Sequence, residues 1–241
     1  MKRGFIRVLY GDCTLPDSNL RKEIDVIIDN PIQTDYLAYI YGKANYDYLM
    51  SRGVNCKLVD ERPFVWDKAI GLRHKIESYR IAMEDDGYDQ IAFLDWDTVL
   101  VKPVPSNLWE RMMEKKEIQA CLYTLKQFMS PWRGIHKIGS GARTGLNSNF
   151  LYMRDKTYPS KIIAIWDTIK DWDYQRNFQD NDEIATMLFI DKMYGKWIGK
   201  EEWLKYHEPI FARVTKKCSY TKEEKDISEC CFVHRWAWQK I

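Results

Sequence analysis

The feature that most restricts the possible folds is a short apolar run, Ile91–Leu94, which follows a long amphipathic helix pattern. The helix pattern extends from about Asp67 to Asp86, and Gly87 is a stop signal at its end. Apolar residues in unbroken succession, without alternation, are typical of a strand that is buried on both faces. Such a strand needs helices on both sides of its sheet, so the sequence predicts an α/β protein.

The first half of the chain continues this alternation of strands and helices. Strands are predicted at Phe5–Tyr10, Ile24–Ile28 and Cys56–Val59. A helix is predicted between an N-cap at Thr34 and a stop at Gly53. This order is typical of a mostly parallel sheet that is flanked by helices.

The second half of the chain is less regular. Strands are predicted at Cys121–Leu125 and Phe150–Met153, and helices at Lys161–Lys170 and Asp182–Ile190. No internal repeat or low-complexity linker divides the chain. The prediction is therefore a single domain, residues 1–241, with a mostly parallel central sheet and a smaller mixed sheet in the C-terminal half.

Charge and composition argue against several classes of protein. The net charge of +2 gives no reason to expect a nucleic-acid partner. The six cysteines are scattered without a C-x-x-C pair, so reduced thiols in the cytoplasm are expected rather than a zinc knuckle or a disulfide scaffold. The basic N-terminus lacks the apolar segment of a signal peptide, and no run approaches the roughly 18 apolar residues of a membrane span. A soluble protein without a transmembrane segment is predicted.

Two carboxylates, Asp95 and Asp97, stand directly after the predicted strand Ile91–Leu94. Carboxylates one residue apart can both reach a hard divalent cation such as Mn²⁺ or Mg²⁺, which can also bridge the phosphates of a nucleotide. With 21 Asp, the chain is expected to contain D-x-D about twice by chance, and it contains three copies. This copy differs because it follows a buried strand, where ligands bind in open α/β sheets. The sequence therefore predicts a metal–nucleotide site, with a solvated loop as the alternative.

A second candidate site follows the first predicted strand, at Tyr10, Gly11 and Asp12. Small and polar residues at such a position allow a nucleobase and ribose to approach the backbone closely. An ordinary turn explains the same residues equally well.

The order of these motifs resembles that of the GT-A nucleotide-sugar glycosyltransferases. In that family a strand ends in D-x-D and is followed by apolar residues and Lys-Pro, as at Val101-Lys102-Pro103, and a basic helix precedes it, as at Arg73-His74-Lys75. Asn147-Ser148-Asn149 is similar to the family's element near the donor sugar, with Asn149 where glycine is usual. Asp180-Asn181-Asp182-Glu183 resembles the acidic start of a helix that faces the sugar, and His234 resembles a late histidine that completes the metal shell.

The resemblance implies transfer of a sugar from a nucleotide diphosphate sugar, with UDP preferred over GDP, to a glycan, glycolipid or glycoprotein acceptor. It implies a nucleotide-binding half, residues 1–105, and a half for the donor sugar and acceptor, residues 106–241. A membrane acceptor would be met peripherally, at the membrane surface. The implied ligands of Mn²⁺ or Mg²⁺ are Asp95, Asp97 and His234, and the implied donor-binding residues are Tyr10, Asp12, Arg73, Lys75, Trp96, Asn147 and Asn149.

The candidate catalytic carboxylates are Asp180, Asp182 and Glu183. In an inverting enzyme one of them would act as a base on the acceptor hydroxyl, and in a retaining enzyme it would stabilise or attack the oxocarbenium-like centre. The competing interpretation is that these residues simply complement the dipole at a helix N-terminus.

Two other functions remain open at this point. A nucleotide-sugar pyrophosphorylase would need a glycine-rich, arginine-containing loop after the first strand, and Gly11-Asp12-Cys13-Thr14-Leu15-Pro16 lacks these features. A non-catalytic sugar- or nucleotide-binding protein is the second alternative. It predicts that Asp95 and Asp97 are dispensable.

Overall fold

The structure of the protein is a computed structural model that describes residues 1–62, 68–122, 146–169, 185–186, 188–190, 211–212 and 231–234. Among these residues, six strands form one sheet and three strands form a smaller one. The strands are β1 (Arg3–Leu9), β2 (Tyr36–Tyr41), β3 (Cys56–Asp60), β4 (Gln90–Leu94), β5 (Thr98–Leu100), β6 (Ile118–Leu122), β7 (Leu146–Met153), β8 (Phe211–Ala212) and β9 (Phe232–His234).

The larger sheet has the strand order β3-β2-β1-β4-β7-β6. Strands β3, β2, β1 and β4 are parallel, whereas β7 is antiparallel to β4 and β6 is antiparallel to β7. The chain extends from β1 to β3 on one side and then returns to the other side of β1 with β4. Ligands bind at the carboxyl ends of strands at such a switch point. The sheet therefore brings together the ends of β1 and β4, which precede the two candidate sites.

The helices with defined bounds cover the sheet. They are α1 (Asn19–Ile28), α2 (Lys43–Ser51), α3 (Lys68–Arg80), α4 (Leu108–Met113) and α5 (Tyr158–Ile169), and α3 continues into a π-helical segment at Ile81–Asp85. Ser18 caps α1 by accepting a hydrogen bond from the Arg21 backbone N–H at 3.1 Å. Gly53 and Gly87 have φ angles of 76° and 73°. This conformation favours glycine and ends the preceding helical segments, as predicted.

The strand predicted at Ile24–Ile28 is wrong, because these residues complete α1. Ile24 and Ile27 are buried, whereas Val26 between them is exposed. This spacing of three places the two isoleucines on one side of a helix. The run contains β-branched residues that also suit a strand, and its packing against the sheet decided in favour of the helix.

The helix predicted from Thr34 is wrong in its first part, because Tyr36–Tyr41 form β2 and α2 begins at Lys43. The four residues from Ala38 to Tyr41 are buried in succession. A central strand that is covered on both faces produces this pattern, whereas a surface helix does not. Gly42, with a φ angle of 95°, separates the strand from the helix.

The other predicted elements agree with the structure in type. The strands predicted at Cys56–Val59, Ile91–Leu94 and Phe150–Met153 lie within β3, β4 and β7. Strand β6 begins three residues before the predicted Cys121, and residues 123–125 lie outside the described ranges. Helix α5 contains most of the segment predicted as helical from Lys161. Residues 185–186 and 188–190 are also helical.

The smaller sheet has the strand order β5-β9-β8, with β5 antiparallel and β8 parallel to β9. The prediction of a smaller mixed sheet is confirmed. Its first strand, β5, follows Asp97 directly, so this sheet adjoins the predicted metal–nucleotide site. The assignment of all 241 residues to one domain stays a prediction.

The sequence predicts reduced thiols and no transmembrane segment, and the described cysteines and helices are relevant to these two predictions. Cys13, Cys56 and Cys231 carry free thiols within the described ranges. Burial raises the pKa of both Cys13 and Cys56 to about 12, so these thiols are protonated and unreactive near neutral pH. In the part of the chain that the structure describes, no helix combines the length and apolar character needed to cross a bilayer.

Candidate functional site

The residues Asp95–Thr98, here called the D-x-D turn, connect the buried strand β4 to β5. The carbonyl oxygen of Asp95 accepts a hydrogen bond from the Thr98 backbone N–H at 3.0 Å, which closes the turn. The Asp95 Oδ1 atom accepts the Trp96 backbone N–H at 3.0 Å. Both carboxylates are half-buried, and they lie at the carboxyl end of β4, beside the end of β1. The turn therefore presents two carboxylates at the switch point of the sheet.

Trp96, between the two aspartates, lies in the core and is only 2% exposed. Its ring packs edge-to-face against Tyr36, with 6.0 Å between centroids. The buried indole anchors the turn while its neighbours on either side remain accessible. The side chain of Trp96 thus anchors the turn to the core. A contact of this residue with the donor stays a prediction.

Lys75 is the buried counter-charge of Asp95. It extends from α3, is 2% exposed, and places its Nζ atom 3.6 Å from Asp95 Oδ2 and 4.6 Å from the centre of the Phe93 ring. A buried ammonium group is tolerated when a carboxylate and an aromatic face compensate its charge. In the structure Lys75 therefore orients Asp95, and its predicted contact with donor phosphates stays a prediction.

Arg73 has a different surrounding from Lys75, because residues two positions apart on a helix point to opposite sides. Its guanidinium group binds Glu77 at 2.9 Å and lies 3.6 Å from Asp167 of α5. The structure thus brings Lys75 to the D-x-D turn and directs Arg73 toward α5. The predicted role of Arg73 in donor binding stays a prediction without a contact in its favour.

The segment after β1 contains the other predicted nucleotide contacts, Tyr10 and Asp12. Tyr10 is half-buried, and Asp12 is exposed. The Asp12 Oδ1 atom accepts hydrogen bonds from the backbone N–H and the hydroxyl of Thr14, at 2.8 Å and 2.6 Å. This arrangement is an Asx turn, which fixes the local backbone. A role of either residue in binding the base or ribose stays a prediction.

The segment after β1 is held by Asn45 of α2, a buried residue that the sequence did not single out. Its amide nitrogen donates to the carbonyl oxygens of Gly11 and Tyr41 at 2.6 Å and 2.9 Å, and its amide oxygen accepts the Cys13 backbone N–H at 3.0 Å. One side chain thus satisfies three buried backbone groups. An asparagine near the start of a helix is a common surface residue, so no sequence signal distinguished it.

Replacing Asn45 with alanine is expected to lower the free energy of unfolding by about 2–4 kcal/mol, because buried backbone groups lose their partners. Chemical denaturation followed by circular dichroism measures this change. The exposed Asn55 provides the matched control, and an Asn55→Ala variant should remain within about 0.5 kcal/mol of the wild type. Equal losses in the two variants would contradict the assigned role of Asn45.

His234, the third predicted metal ligand, is placed by strand register. In the antiparallel pair of β5 and β9, the backbone of His234 lies opposite Thr98, the residue after Asp97. Its backbone position is thus next to the D-x-D turn, although more than 130 residues separate the two in sequence. Coordination by its imidazole stays a prediction.

Strand β7 places Asn149 near the same edge of the sheet. Leu94 pairs with Phe150 in the antiparallel register, so Asn149 continues the strand to the level of Asp95. Asn147 lies two residues further along the strand and pairs with Cys121 of β6. Asn149 therefore stands in β7 level with the start of the D-x-D turn, and contacts of either asparagine with a donor sugar stay a prediction.

The predicted catalytic carboxylates lie outside the described residues. Ala185 and Thr186, which come shortly after them, are helical and buried. The roles predicted for these carboxylates thus rest on their sequence pattern, and the residues concerned are Asp180, Asp182 and Glu183.

Arg7 is a second residue that the sequence did not single out, and it lies beneath the D-x-D turn. It is 3% exposed, and its guanidinium group donates to the carbonyl oxygens of Asp95 and Thr98. Burial lowers the pKa of Arg7 to about 10, an effect that Tyr36 and the carboxylates of Asp95 and Asp97 oppose, so the group is charged at neutral pH. The available signal was a charged residue in the middle of an apolar strand, Phe5–Leu9.

The donor atoms at the turn fit a hard divalent cation. Within the described ranges, no three His, Cys, Asp or Glu side chains lie close enough together to form a metal site by themselves. Mg²⁺ is commonly held by one or two carboxylates, with substrate phosphates and water as the remaining ligands. The half-buried carboxylates of Asp95 and Asp97 meet this requirement, because they provide oxygen ligands and are both partly accessible to solvent.

The fold is similar to that of solved glycosyltransferases. A glycosyltransferase involved in the glycosylation of the major capsid of PBCV-1 matches with a TM-score of 0.53 and 9% identity, over 97% of this chain and 93% of that chain. The galactosyltransferase LgtC, solved with donor and acceptor sugar analogs, matches with a TM-score of 0.51 and 14% identity, over 95% of this chain and 86% of that chain. No protein-family profile and no curated protein sequence matches the chain. The predicted GT-A fold is confirmed. Because one fold can carry many different reactions, the reaction depends on the residues of the site.

Proposed function

We propose that this chain is a metal-dependent glycosyltransferase that moves a sugar from a nucleotide diphosphate sugar to a glycan, lipid or protein acceptor. The observation that supports this function best is the pair of half-buried carboxylates, Asp95 and Asp97, at the switch point between β1 and β4. Ligands bind at this position in open α/β sheets, and oxygen donors suit a cation that bridges phosphates.

The chemistry of sugar transfer needs charge stabilisation at the position of the D-x-D turn. When the bond between the anomeric carbon and the diphosphate breaks, negative charge develops on the departing phosphate. Mn²⁺ or Mg²⁺ held by Asp95, Asp97 and His234 would supply Lewis-acid stabilisation of that charge. Lys75 keeps the Asp95 carboxylate oriented through its ion pair, so that little rearrangement is required when the donor binds.

The remaining residues of the proposed donor site lie in segments that end at or pass the same edge of the sheet as the D-x-D turn. The segment after β1, with Tyr10 and Asp12, is proposed to contact the base and ribose, and Asn147 and Asn149 of β7 are proposed to lie along the donor sugar. UDP is proposed in preference to GDP. The galactosyltransferase with the same fold binds donor and acceptor sugar analogs. That two-substrate arrangement is the one this proposal requires.

A carboxylate that acts on the acceptor hydroxyl or on the anomeric centre completes the proposed reaction. Two rules constrain the choice among the three candidates: a base must reach the hydroxyl proton, and a nucleophile must reach the anomeric carbon. We propose that Asp182 or Glu183 takes this role, with Asp180 as the third candidate.

Calorimetric titration of the whole chain with UDP and with GDP, in Mn²⁺ and in EDTA, tests the proposed function. The expected result is binding of one nucleotide, with UDP the stronger, and loss of that binding in EDTA. Sugar nucleotides of the preferred base are then screened for slow hydrolysis, which a transferase catalyses and a binding protein does not. The absence of nucleotide binding under all conditions would overturn the proposal. Binding without hydrolysis or transfer would favour the non-catalytic alternative.

A further inference from the structure

The buried arginine of β1, Arg7, needs an explanation, because a charged group in a protein core costs several kcal/mol unless its charge is compensated. In the part of the chain that the structure describes, no carboxylate forms an ion pair with Arg7. Its Nε atom is buried and has no hydrogen-bond partner among the same described residues. A neutral side chain of similar length would fill the space at lower cost, so the charge of Arg7 points to a role other than packing.

The contacts of Arg7 are concentrated on the D-x-D turn. One terminal nitrogen donates to the carbonyl oxygen of Asp95, and the other donates to the carbonyl oxygen of Thr98 at 3.0 Å. The two acceptors are the first and last residues of the turn. A planar guanidinium group can bridge two acceptors in this way, whereas an ammonium group acts as a single point charge.

Two aromatic rings fix the orientation of the guanidinium group. Its central carbon lies 5.1 Å from the centre of the Tyr36 ring and 5.3 Å from that of the Trp96 ring. Both distances are within the range of a cation–π interaction. Trp96 itself belongs to the D-x-D turn. Arg7 therefore contacts the turn in two ways, by hydrogen bonds to the turn's backbone and by a cation–π interaction with the Trp96 side chain.

Arg7 and Lys75 reach the turn from opposite faces of the sheet. Lys75 lies over Phe93, which is next to Ile6 in the parallel register of β1 and β4 and packs with it in the same part of the core. Successive residues of a strand point to opposite faces, so Arg7 is on the other face from Ile6. Asp95 is therefore held twice, by an ammonium group at its carboxylate and by a guanidinium group at its carbonyl oxygen.

This arrangement has an electrostatic consequence for the two carboxylates. Asp95 and Asp97 carry like charges close together in sequence, and repulsion between like charges favours opening of the turn before a cation arrives. Two positive charges in the low-dielectric core next to the turn offset that repulsion. The turn can then keep its geometry in the absence of a cation.

We propose that Arg7 is a positioning residue that holds the D-x-D turn in its cation-binding geometry by bridging the carbonyl oxygens of Asp95 and Thr98. This inference rests on the proposed metal–nucleotide site and assigns that site a residue from the buried face of β1. The role differs from a purely structural one, because it predicts an effect on cation affinity beyond the effect on stability.

The test compares Arg7→Met and Arg7→Lys with Arg3→Met in the full chain. Arg3 lies in the same strand but forms a partly exposed ion pair with Glu110 at 2.5 Å, so it controls for the loss of an arginine. Calorimetry measures the Mn²⁺ concentration that gives half-maximal UDP binding. We expect an increase of about 10-fold or more for Arg7→Met, as for other residues that orient metal ligands. A smaller increase is expected for Arg7→Lys, which keeps the charge but cannot bridge both carbonyl oxygens.

Hydrogen exchange of the metal-free protein provides a second readout that does not depend on nucleotide. The Thr98 amide, which closes the turn, should exchange at least about 10-fold faster in Arg7→Met than in the wild type, since local opening is favoured. Amides of β2 and β3 should be unchanged. If Arg7→Met does not fold, Arg7→Lys carries both measurements.

The outcomes separate this inference from the proposed function. If the wild type binds nucleotide in Mn²⁺ and the folded Arg7 variants bind with the same Mn²⁺ dependence as Arg3→Met, the positioning role is overturned and the proposed function stands. If the wild type binds neither Mn²⁺ nor nucleotide, the proposed function fails, and the positioning role fails with it.

Discussion

An Asp97→Asn variant is expected to lose metal-dependent nucleotide binding and to transfer sugar about 10²–10³-fold more slowly than the wild type. The carboxamide has nearly the same shape as the carboxylate but carries no charge, so it is a poorer ligand for a hard divalent cation. Because Asp97 is half-buried at the open end of the sheet, the free energy of unfolding should change by no more than about 1 kcal/mol. Titration with UDP in Mn²⁺ and in EDTA, together with transfer rates, measures the effect.

The matched control for this variant is Asp47→Asn on α2. Asp47 is an exposed carboxylate that forms a surface ion pair with Lys43, and such pairs contribute less than about 1 kcal/mol. The control should bind nucleotide and transfer sugar like the wild type. Wild-type binding by Asp97→Asn, with no effect of EDTA on either protein, would show that the D-x-D turn does not hold a cation.

A Lys75→Met variant is expected to bind UDP about 10–100-fold more weakly in Mn²⁺ and to lose about 1–3 kcal/mol of stability. Methionine fills the space of the lysine stem but leaves the Asp95 carboxylate without the ammonium group now 3.6 Å away. The carboxylate is then free to reorient, which weakens the cation site that it helps to form. Chemical denaturation and UDP titration measure the two effects separately.

The binding of UDP in EDTA distinguishes two roles of Lys75. Because the side chain is buried, the loss should appear in Mn²⁺ and leave any binding in EDTA unchanged. An equal loss in both conditions would instead identify Lys75 as a direct phosphate contact and contradict its role through Asp95. Lys43→Met, which removes an exposed ammonium group from α2, is the control and should bind UDP like the wild type.

The structural features around the D-x-D turn that the sequence predicted are local in the chain. Strand β4 and the carboxylates that follow it are adjacent in sequence. An apolar run with acidic residues at its end can be recognised without knowing which other strands it pairs with. The end of β1 was recognised for the same reason. The parallel register of β1 and β4 then brought both segments to one edge of the sheet.

The residues that the sequence did not identify act over long separations. Arg7 contacts a residue 88 positions later, and Asn45 contacts one 34 positions earlier. Neither contact produces a pattern within the short stretch of sequence over which hydrophobic periodicity is detected. The sequence also did not show that Lys75 faces the D-x-D turn whereas Arg73 faces α5. The packing of α3 against the rest of the protein decides which side of the helix faces the turn.

The two elements with the wrong predicted type show a related limit. Ile24–Ile28 is rich in β-branched residues and forms part of α1, and Tyr36–Tyr41 shows helical spacing but forms β2. Short apolar segments are compatible with either structure, so burial against neighbouring elements selects between them.

The sequence by itself determined the α/β class, the position of the D-x-D turn after a buried strand, and the glycines that end two helices, because each depends on residues that are close together in the chain. The tertiary structure alone decided the strand order, the approach of Arg7 and Lys75 to Asp95 from opposite faces, and the register that sets His234 opposite Thr98. The physical reason is that these features depend on which distant segments bury each other's apolar surface, and pairing of that kind is specified by the whole core rather than by any one segment.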